Sequence, residues 1–65
     1  MKIIEEDKLY KVTGDRIGGE QKGIDIINFV IGMYEQYGID APDPKTEMNE
    51  IIEWLKANHF TIEEI

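Results

Sequence analysis

The chain contains no cysteine and no serine, and His59 is its single histidine. Without cysteine, disulfide bonds and thiolate zinc sites are excluded. Without either residue, a Ser-His-Asp or Cys-His catalytic arrangement cannot form. His59 follows the second predicted helix, where a cation interacts favourably with the helix C-terminus, so we expect a structural role for it. The sequence predicts no catalytic residue, no metal site and no cofactor, and a protein that is not an enzyme.

Basic side chains are scarce in the larger part of the chain. Residues 1–22 contain five basic and five acidic residues, whereas residues 23–65 contain two basic and nine acidic ones and carry the whole formal net charge of −7. Binding nucleic acid through phosphate contacts requires clustered lysine and arginine. We therefore expect no direct binding of nucleic acid. A basic partner, or solubility alone, accounts for the imbalance.

Long apolar runs are also absent. No uninterrupted apolar stretch approaches the roughly 20 residues of a membrane span, and no secretory leader is evident at the N-terminus. We expect a cytoplasmic protein that does not enter a membrane. The 65 residues are expected to form one small domain. Such a chain buries only about 60% of the surface of its unfolded form, so self-association or docking on a partner would add stability.

The most apolar segment is Ile24 to Tyr37, and it predicts the main helix. On a helical wheel its polar residues form one narrow stripe, which leaves an apolar arc of roughly 220°. The segment must therefore be covered on at least two sides. We place the helix start between Glu20 and Asp25, and its end at Gly38 in a left-handed conformation with Ile39 folded back onto the last turn.

A second helix is predicted from Pro44 to about Ala57 or Asn58, with Asp43 as N-cap. A narrow apolar stripe supports it, at spacings i, i+3, i+4 and i+7: Met48, Ile51, Ile52 and Leu55. Because the connector before it has about five residues, the two helices are expected to be antiparallel neighbours.

Short strands are predicted at the N-terminus. Residues 2–13 place β-branched and aromatic residues on either side of a charged turn at 6–8, and Gly14-Asp15 is a second turn followed by a stub of strand. The tail, 60–65, fits either a helical turn or a strand. The predicted fold class is α+β, with a small N-terminal β-hairpin packed on an antiparallel helix pair. A three-helix all-α bundle is the alternative.

Residues 24–43 resemble helix II of acyl carrier proteins and the segment that follows it. Ile24-Asp25 stands where that family has Leu-Asp, and the run from Gly38 to Asp43 is similar to its Gly-Ile-Glu-Ile-Pro-Asp. The serine that carries phosphopantetheine in that family would fall at Gly23, which has no side chain to modify. Carrier activity is therefore excluded.

Residues 14–23 hold four of the six glycines and invite comparison with phosphate-binding loops. Gly14 and Gly19 have the outer spacing of a P-loop, but Glu20 and Gln21 occupy the positions of its lysine and hydroxyl residue. A flexible connector is the better interpretation. A small-ligand or metal binder that uses this loop with Asp40 and Asp43 is the weakest of three functional hypotheses.

The leading hypothesis is a non-enzymatic protein-binding module. Its candidate partner-binding residues lie on one acidic helix face with an aromatic neighbour: Glu47, Glu50, Glu53 and Trp54. An aromatic side chain ringed by carboxylates has the composition of an interface anchor, although packing of Trp54 against the strands or the tail is the plainer interpretation. The expected partner is a basic or nucleic-acid-binding protein, and one version is a phage or mobile-element inhibitor that mimics nucleic acid. A structural homo-oligomer is the alternative, because one copy would not cover the apolar arc of the main helix.

Overall fold

The computed structural model describes residues 3–65 and has α+β architecture. Its elements in chain order are β1 (Leu9–Thr13), β2 (Gly19–Lys22), α1 (Gly23–Gln36), α2 (Met48–Ala57) and β3 (Thr61–Glu64). The three strands form one antiparallel sheet in the order β2-β1-β3. The predicted fold class is confirmed, since an N-terminal hairpin packs on two helices. The three-helix alternative is wrong, because the tail is a strand.

The central strand β1 shows why the helices cover one face of the sheet. Tyr10 and Val12 are buried, whereas Leu9, Lys11 and Thr13 are exposed. This alternation follows from the two-residue period of a strand. The core that they join contains nine buried apolar residues from four parts of the chain: Ile4, Tyr10, Val12, Ile26, Ile27, Val30, Ile51, Ile52 and Leu55. The apolar arc of α1 is largely covered within one chain, because no apolar residue from Ile24 to Tyr34 is exposed.

The hairpin lies later in the chain than predicted. Lys2 is outside the described residues, and residues 3–5 form no strand. The charged tripeptide is indeed a turn, but the second predicted turn, at Gly14-Asp15, is the one that joins β1 to β2. Ile4 packs into the core as a single residue, so the pattern at 3–5 does not reflect a sheet face.

The N-terminal segment instead caps α1. The Gly23 N–H donates to the Lys8 carbonyl at 2.9 Å and the Ile24 N–H to the Glu6 carbonyl at 3.1 Å. The first N–H groups of a helix have no partner within it, and Lys22 at the N-cap supplies no side-chain hydrogen bond. The Glu5 N–H in turn donates to the hydroxyl oxygen of buried Tyr10 at 2.9 Å. Segment 3–8 therefore connects the start of α1 to β1.

The direction of α2 differs from the predicted one. The eleven residues 37–47 separate the helices, rather than a connector of about five. Ile27 in the first half of α1 shares a depression with Met48, whereas Met33 near its end shares one with Asn58. Both helices thus start at one end of the sheet and finish at the other, because the longer connector returns along α1 before α2 begins.

The start of α2 also differs from the prediction, because residues 44–46 form a separate turn. Asp43 does not cap α2: its Oδ1 accepts a hydrogen bond from the Lys45 N–H at 2.9 Å, and its carbonyl accepts one from the Glu47 N–H at 2.6 Å. Aspartate side chains that bond to the nearby backbone compete with helix formation in this way. Regular helix begins only at Met48.

Both helices end in the same hydrogen-bonded motif. The Gly38 N–H donates to Glu35 and the Ile39 N–H to Tyr34, and the φ of Gly38 is 70°, as predicted for this position. After α2, the His59 N–H donates to Lys56 and the Phe60 N–H to Leu55, and the φ of His59 is 64°. This is the Schellman arrangement. His59 is therefore the left-handed residue of the motif that ends α2, a position that favours glycine.

Replacing His59 with glycine should stabilise the protein by about 0.5–1 kcal/mol. A non-glycine residue in the left-handed region costs about 1–2 kcal/mol, and glycine removes this cost. The larger conformational entropy of glycine in the unfolded chain offsets part of that stabilisation. Gly38→Ala is the matched change at the other helix end and should destabilise by about 1 kcal/mol. Urea denaturation of both variants measures these shifts, and a destabilised His59→Gly variant would contradict the argument.

Within residues 3–65, no helix combines the length and apolar character needed to cross a membrane.

Candidate protein-binding surface

The three candidate carboxylates lie on the exposed face of α2. Glu47, Glu50 and Glu53 are all exposed. Glu47 stands at the N-cap, and its Oε2 accepts a hydrogen bond from the Asp43 N–H at 2.7 Å. Glu53 forms an ion pair with Lys56 at 3.9 Å, in which both side chains are mostly solvent-accessible, so the pair contributes little stability. Glu50 has no ion pair among residues 3–65. The face therefore presents negative charge that the described part of the chain only partly offsets.

Trp54 belongs to a cluster of three aromatic rings at the end of α2. Its ring centroid lies 6.0 Å from that of Phe29 in an edge-to-face arrangement and 5.8 Å from that of Phe60 in a stacked one. Phe29 and Phe60 meet edge to face at 5.6 Å. Such pairs add about 0.5–1.5 kcal/mol beyond the area that they bury. Trp54 remains half-buried, so it packs against α1 and the start of the tail while one part of its ring contacts solvent.

A shallow groove of about 180 Å³ opens beside this cluster. Phe29, Trp54 and Phe60 line it from one side, and Tyr37 contributes a side chain that is 66% exposed. Arg16, from the loop between β1 and β2, crosses to α1 with its Nη1 3.7 Å from the Met33 sulfur. The groove is therefore lined by aromatic rings together with the polar side chains of Asp15, Arg16 and Asn58, and it adjoins α2 at Trp54.

Two of the three tyrosines do not belong to this surface. Tyr10 is fully buried under the helices, and its hydroxyl oxygen is used by the Glu5 N–H. Tyr34 is half-buried and packs against the core. Only Tyr37 joins the groove. Its position at the C-cap, beyond the last helical residue Gln36, is the signal that could have distinguished it, because a side chain there is no longer held against the core by the helix.

The glycine-rich segment has structural uses in the described chain. Its second half forms β2, and Gln21 Nε2 donates to the Gly18 carbonyl at 3.0 Å. Asp43 serves the turn before α2. Across residues 3–65, no three histidine or acidic side chains are grouped so that they could hold a metal ion. The geometry thus adds nothing in favour of the ligand-binding hypothesis.

A second groove was not anticipated from the sequence. It has a volume of about 260 Å³, is mostly apolar, and lies between α2 and β3, with Leu55 on one side and Ile62 on the other. The alternation of Phe60 and Ile62 in the tail was the available signal. It fits a strand, but the partner of that strand is β1, which is about fifty residues earlier in the chain.

Ion pairs also join the N-terminal turn to β3. Lys8 Nζ lies 2.9 Å from Glu5 Oε2 and 3.8 Å from Glu64 Oε1. The hydrogen bond to the Glu5 carboxylate, and then the negative charges of Glu5 and Glu64, raise the pKa of Lys8 above its ordinary value. All three side chains are more than half exposed, so these contacts orient the segment rather than stabilise it strongly.

Comparison with protein-family models, with curated proteins and with solved structures found no match to this chain.

Proposed function

We propose that this protein is a non-enzymatic protein-binding module whose contact surface is the acidic face of α2 together with the neighbouring aromatic groove. The observation that carries the proposal is that half-buried Trp54, next to exposed Glu53 and one helical turn after exposed Glu50, lines a groove together with exposed Tyr37. Exposed Glu47 extends the negative charge to the start of α2. Aromatic residues at a partly exposed, well-packed position are typical anchors of binding interfaces. Carboxylates around them select a partner by charge and accelerate its approach.

The partner that this surface fits is a basic protein. Residues 23–65 carry the entire net charge of −7, and only Lys56 offsets charge along α2 itself. A nucleic-acid-binding protein is the sharpest version of the proposal, because its basic groove is built to accept regularly spaced negative charges. An inhibitor of phage or mobile-element origin that acts in the cytoplasm would use the surface in this way.

Removing the three charges should weaken partner binding at least tenfold. The variant Glu47→Gln/Glu50→Gln/Glu53→Gln keeps side-chain size, and glutamine at 47 still accepts a hydrogen bond from Asp43. Loss of three rim charges, each contributing about 0.5–1 kcal/mol, corresponds to roughly a tenfold change or more in affinity. The measurement is capture of proteins from bacterial lysate at two salt concentrations, followed by titration with the captured protein.

The matched control removes three carboxylates elsewhere. Glu6, Asp7 and Asp40 are exposed and have no ion pair among residues 3–65, so Glu6→Gln/Asp7→Asn/Asp40→Asn changes net charge equally. Equal capture by both triple variants and the native protein would contradict the proposal. If the partner binds nucleic acid, duplex DNA should compete with the native protein for it.

The homo-oligomer alternative has less support than the sequence suggested, because α1 is largely covered within one chain. Exposed large apolar side chains do occur, but they form no single large patch: Leu9 and Ile65 are neighbours across β1 and the end of β3, Tyr37 and Ile39 follow α1, and Ile3 lies in the N-terminal segment. Sedimentation at micromolar concentration tests it directly, and a monomer would exclude it.

A further inference from the structure

The free edge of β3 is a second surface, separate from the acidic face of α2. We propose that this edge binds an extended peptide segment of a partner protein in which apolar side chains alternate with basic ones. β3 lies at the end of the strand order β2-β1-β3, so only one of its two edges is paired. An exposed strand edge can accept a further strand through main-chain hydrogen bonds.

The pairing register identifies the backbone groups that face outward. The Ile65 N–H donates to the Leu9 carbonyl at 3.4 Å. Because residues of an antiparallel strand alternate in the direction of their backbone groups, Thr61, Glu63 and Ile65 bond toward β1. The N–H and C=O groups of Ile62 and Glu64 then point to the free edge. A peptide strand that pairs with these two residues would satisfy them.

The groove of about 260 Å³ is the reason why every second side chain of the bound peptide should be apolar. Ile62 pairs in register with buried Val12 and shares the helix-facing side of the sheet. The groove lies beside it, under Ile52 and Leu55 of α2. Every second side chain of an added strand would enter this space, because side chains alternate between the two faces.

Charges on the face of the sheet away from the helices are the reason why the other side chains of the peptide should be basic. In the register of the sheet, Lys11 stands between Glu20 on one side and Glu63 on the other. A residue added opposite Glu63 would continue this row. Opposite charges on adjacent strands are favourable and like charges are not, so a lysine or arginine is the complementary side chain there.

A second copy of this chain fits the edge poorly. Self-pairing that satisfies both outward residues joins Ile62 of one copy to Glu64 of the other and places Glu63 directly opposite its own counterpart, whereas a shift that pairs Ile62 with Ile62 leaves Glu64 beyond the end of the partner strand. Like charges in that position are destabilising, and each copy brings a net charge of −7. The complementary occupant is therefore a basic segment of another protein.

The test uses a synthetic seven-residue peptide of alternating lysine and valine, with both ends blocked, and the ¹⁵N-labelled full chain. Backbone amide shifts of Ile62 and Glu64 should change on titration. A glutamate–valine peptide of the same length should bind at least tenfold more weakly. Changes confined to residues 47–54, or equal binding of both peptides, would overturn the proposal. Shifts of the β3 amides that depend on protein concentration without peptide would show that a second copy occupies the edge, and would also overturn it.

Two changes test the backbone contacts themselves. Glu64→Pro removes an outward-facing N–H, which proline at a sheet edge permits, and should reduce peptide affinity at least tenfold, whereas Glu64→Gln should retain binding within about threefold. If the proline variant does not fold, N-methylated valines in the peptide remove the same hydrogen bonds while the protein is unchanged. Undiminished binding of the N-methylated peptide would overturn the proposal. The triple glutamine variant of α2 should still bind the peptide. The proposal for the edge of β3 and the proposal for the acidic face of α2 are therefore tested independently.

Discussion

Replacing Gly23 with alanine is expected to leave most of the protein unfolded at 25 °C. A Cβ at this position would overlap the Glu5 carbonyl oxygen and lie 2.7 Å from its carbonyl carbon. Both atoms belong to the backbone, so they cannot rotate away. The overlap can be relieved only if segment 3–8 moves away from the start of α1. That movement breaks the backbone hydrogen bonds from Gly23 to Lys8 and from Ile24 to Glu6.

The expected cost is about 3–5 kcal/mol, from overpacking together with the loss of buried hydrogen bonds. A single small core rarely supplies more than about 3–5 kcal/mol below 70–80 residues, so a cost of this size offsets the whole of the native stability. Circular dichroism and a urea titration measure the loss. We expect the signal of the variant to approach that of the denatured native protein even without urea.

Gly32→Ala is the matched control, because it makes the same change nine residues later in the same helix. No atom lies within 4 Å of a Cβ built there. Alanine in a helix interior is favoured over glycine by about 0.5–1 kcal/mol, so this variant should be more stable than the native protein. Similar stabilities for the two alanine variants would show that Gly23 is not in close contact with Glu5.

The two helices could be predicted from the sequence because their signals are local. The apolar stripe of α2 and the apolar arc of α1 repeat within a few turns, and Gly38 marks the end of α1 by the backbone conformation that it alone adopts readily. The left-handed residue after α2 was not anticipated, since histidine does not carry the signal that glycine does.

The strands were harder to predict because their partners are distant or uninformative. β2 has the sequence Gly-Glu-Gln-Lys, with no alternation of apolar and polar residues. It is a strand because it pairs with β1. β3 likewise becomes a strand through pairing with residues about fifty positions away. Segment 3–8 looks like a strand, but its backbone groups are used to cap α1.

Part of the candidate surface could likewise be predicted from local sequence patterns, and part of it depends on residues distant in the chain. The exposure of Glu50 and Glu53 follows from the helix period, which places them opposite the buried stripe of α2, whereas Glu47 is exposed at the N-cap. The surroundings of Trp54 do not follow from it. The contacts of its ring come from Phe29 on α1 and Phe60 beyond α2. Both contacts depend on the direction of α2, which was predicted wrongly because the connector was taken to be about five residues long.

Replacing Gly14 with alanine should disturb that aromatic cluster from the opposite side. A Cβ at Gly14 would overlap the Cδ1 and Cε1 atoms of the Phe60 ring. The Phe60 ring is held between Phe29 and Trp54 at centroid distances of 5.6 and 5.8 Å, so it cannot move without displacing them. We expect a loss of about 1–3 kcal/mol, the usual cost of overpacking, and a shift of the Trp54 fluorescence maximum to longer wavelength as the ring becomes more exposed.

Gly18→Ala is the control for this change, because it lies in the same loop and its nearest neighbour is the Val12 carbonyl oxygen at an ordinary 3.8 Å. It should alter the unfolding midpoint only slightly and leave the Trp54 spectrum unchanged. The comparison also bears on the proposed binding surface. If Trp54 anchors a partner through the geometry of its cluster, Gly14→Ala should weaken partner binding although it removes no side chain from the surface, whereas Gly18→Ala should not. Native affinity in a Gly14→Ala variant with a shifted Trp54 spectrum would show that only the carboxylates of α2 matter.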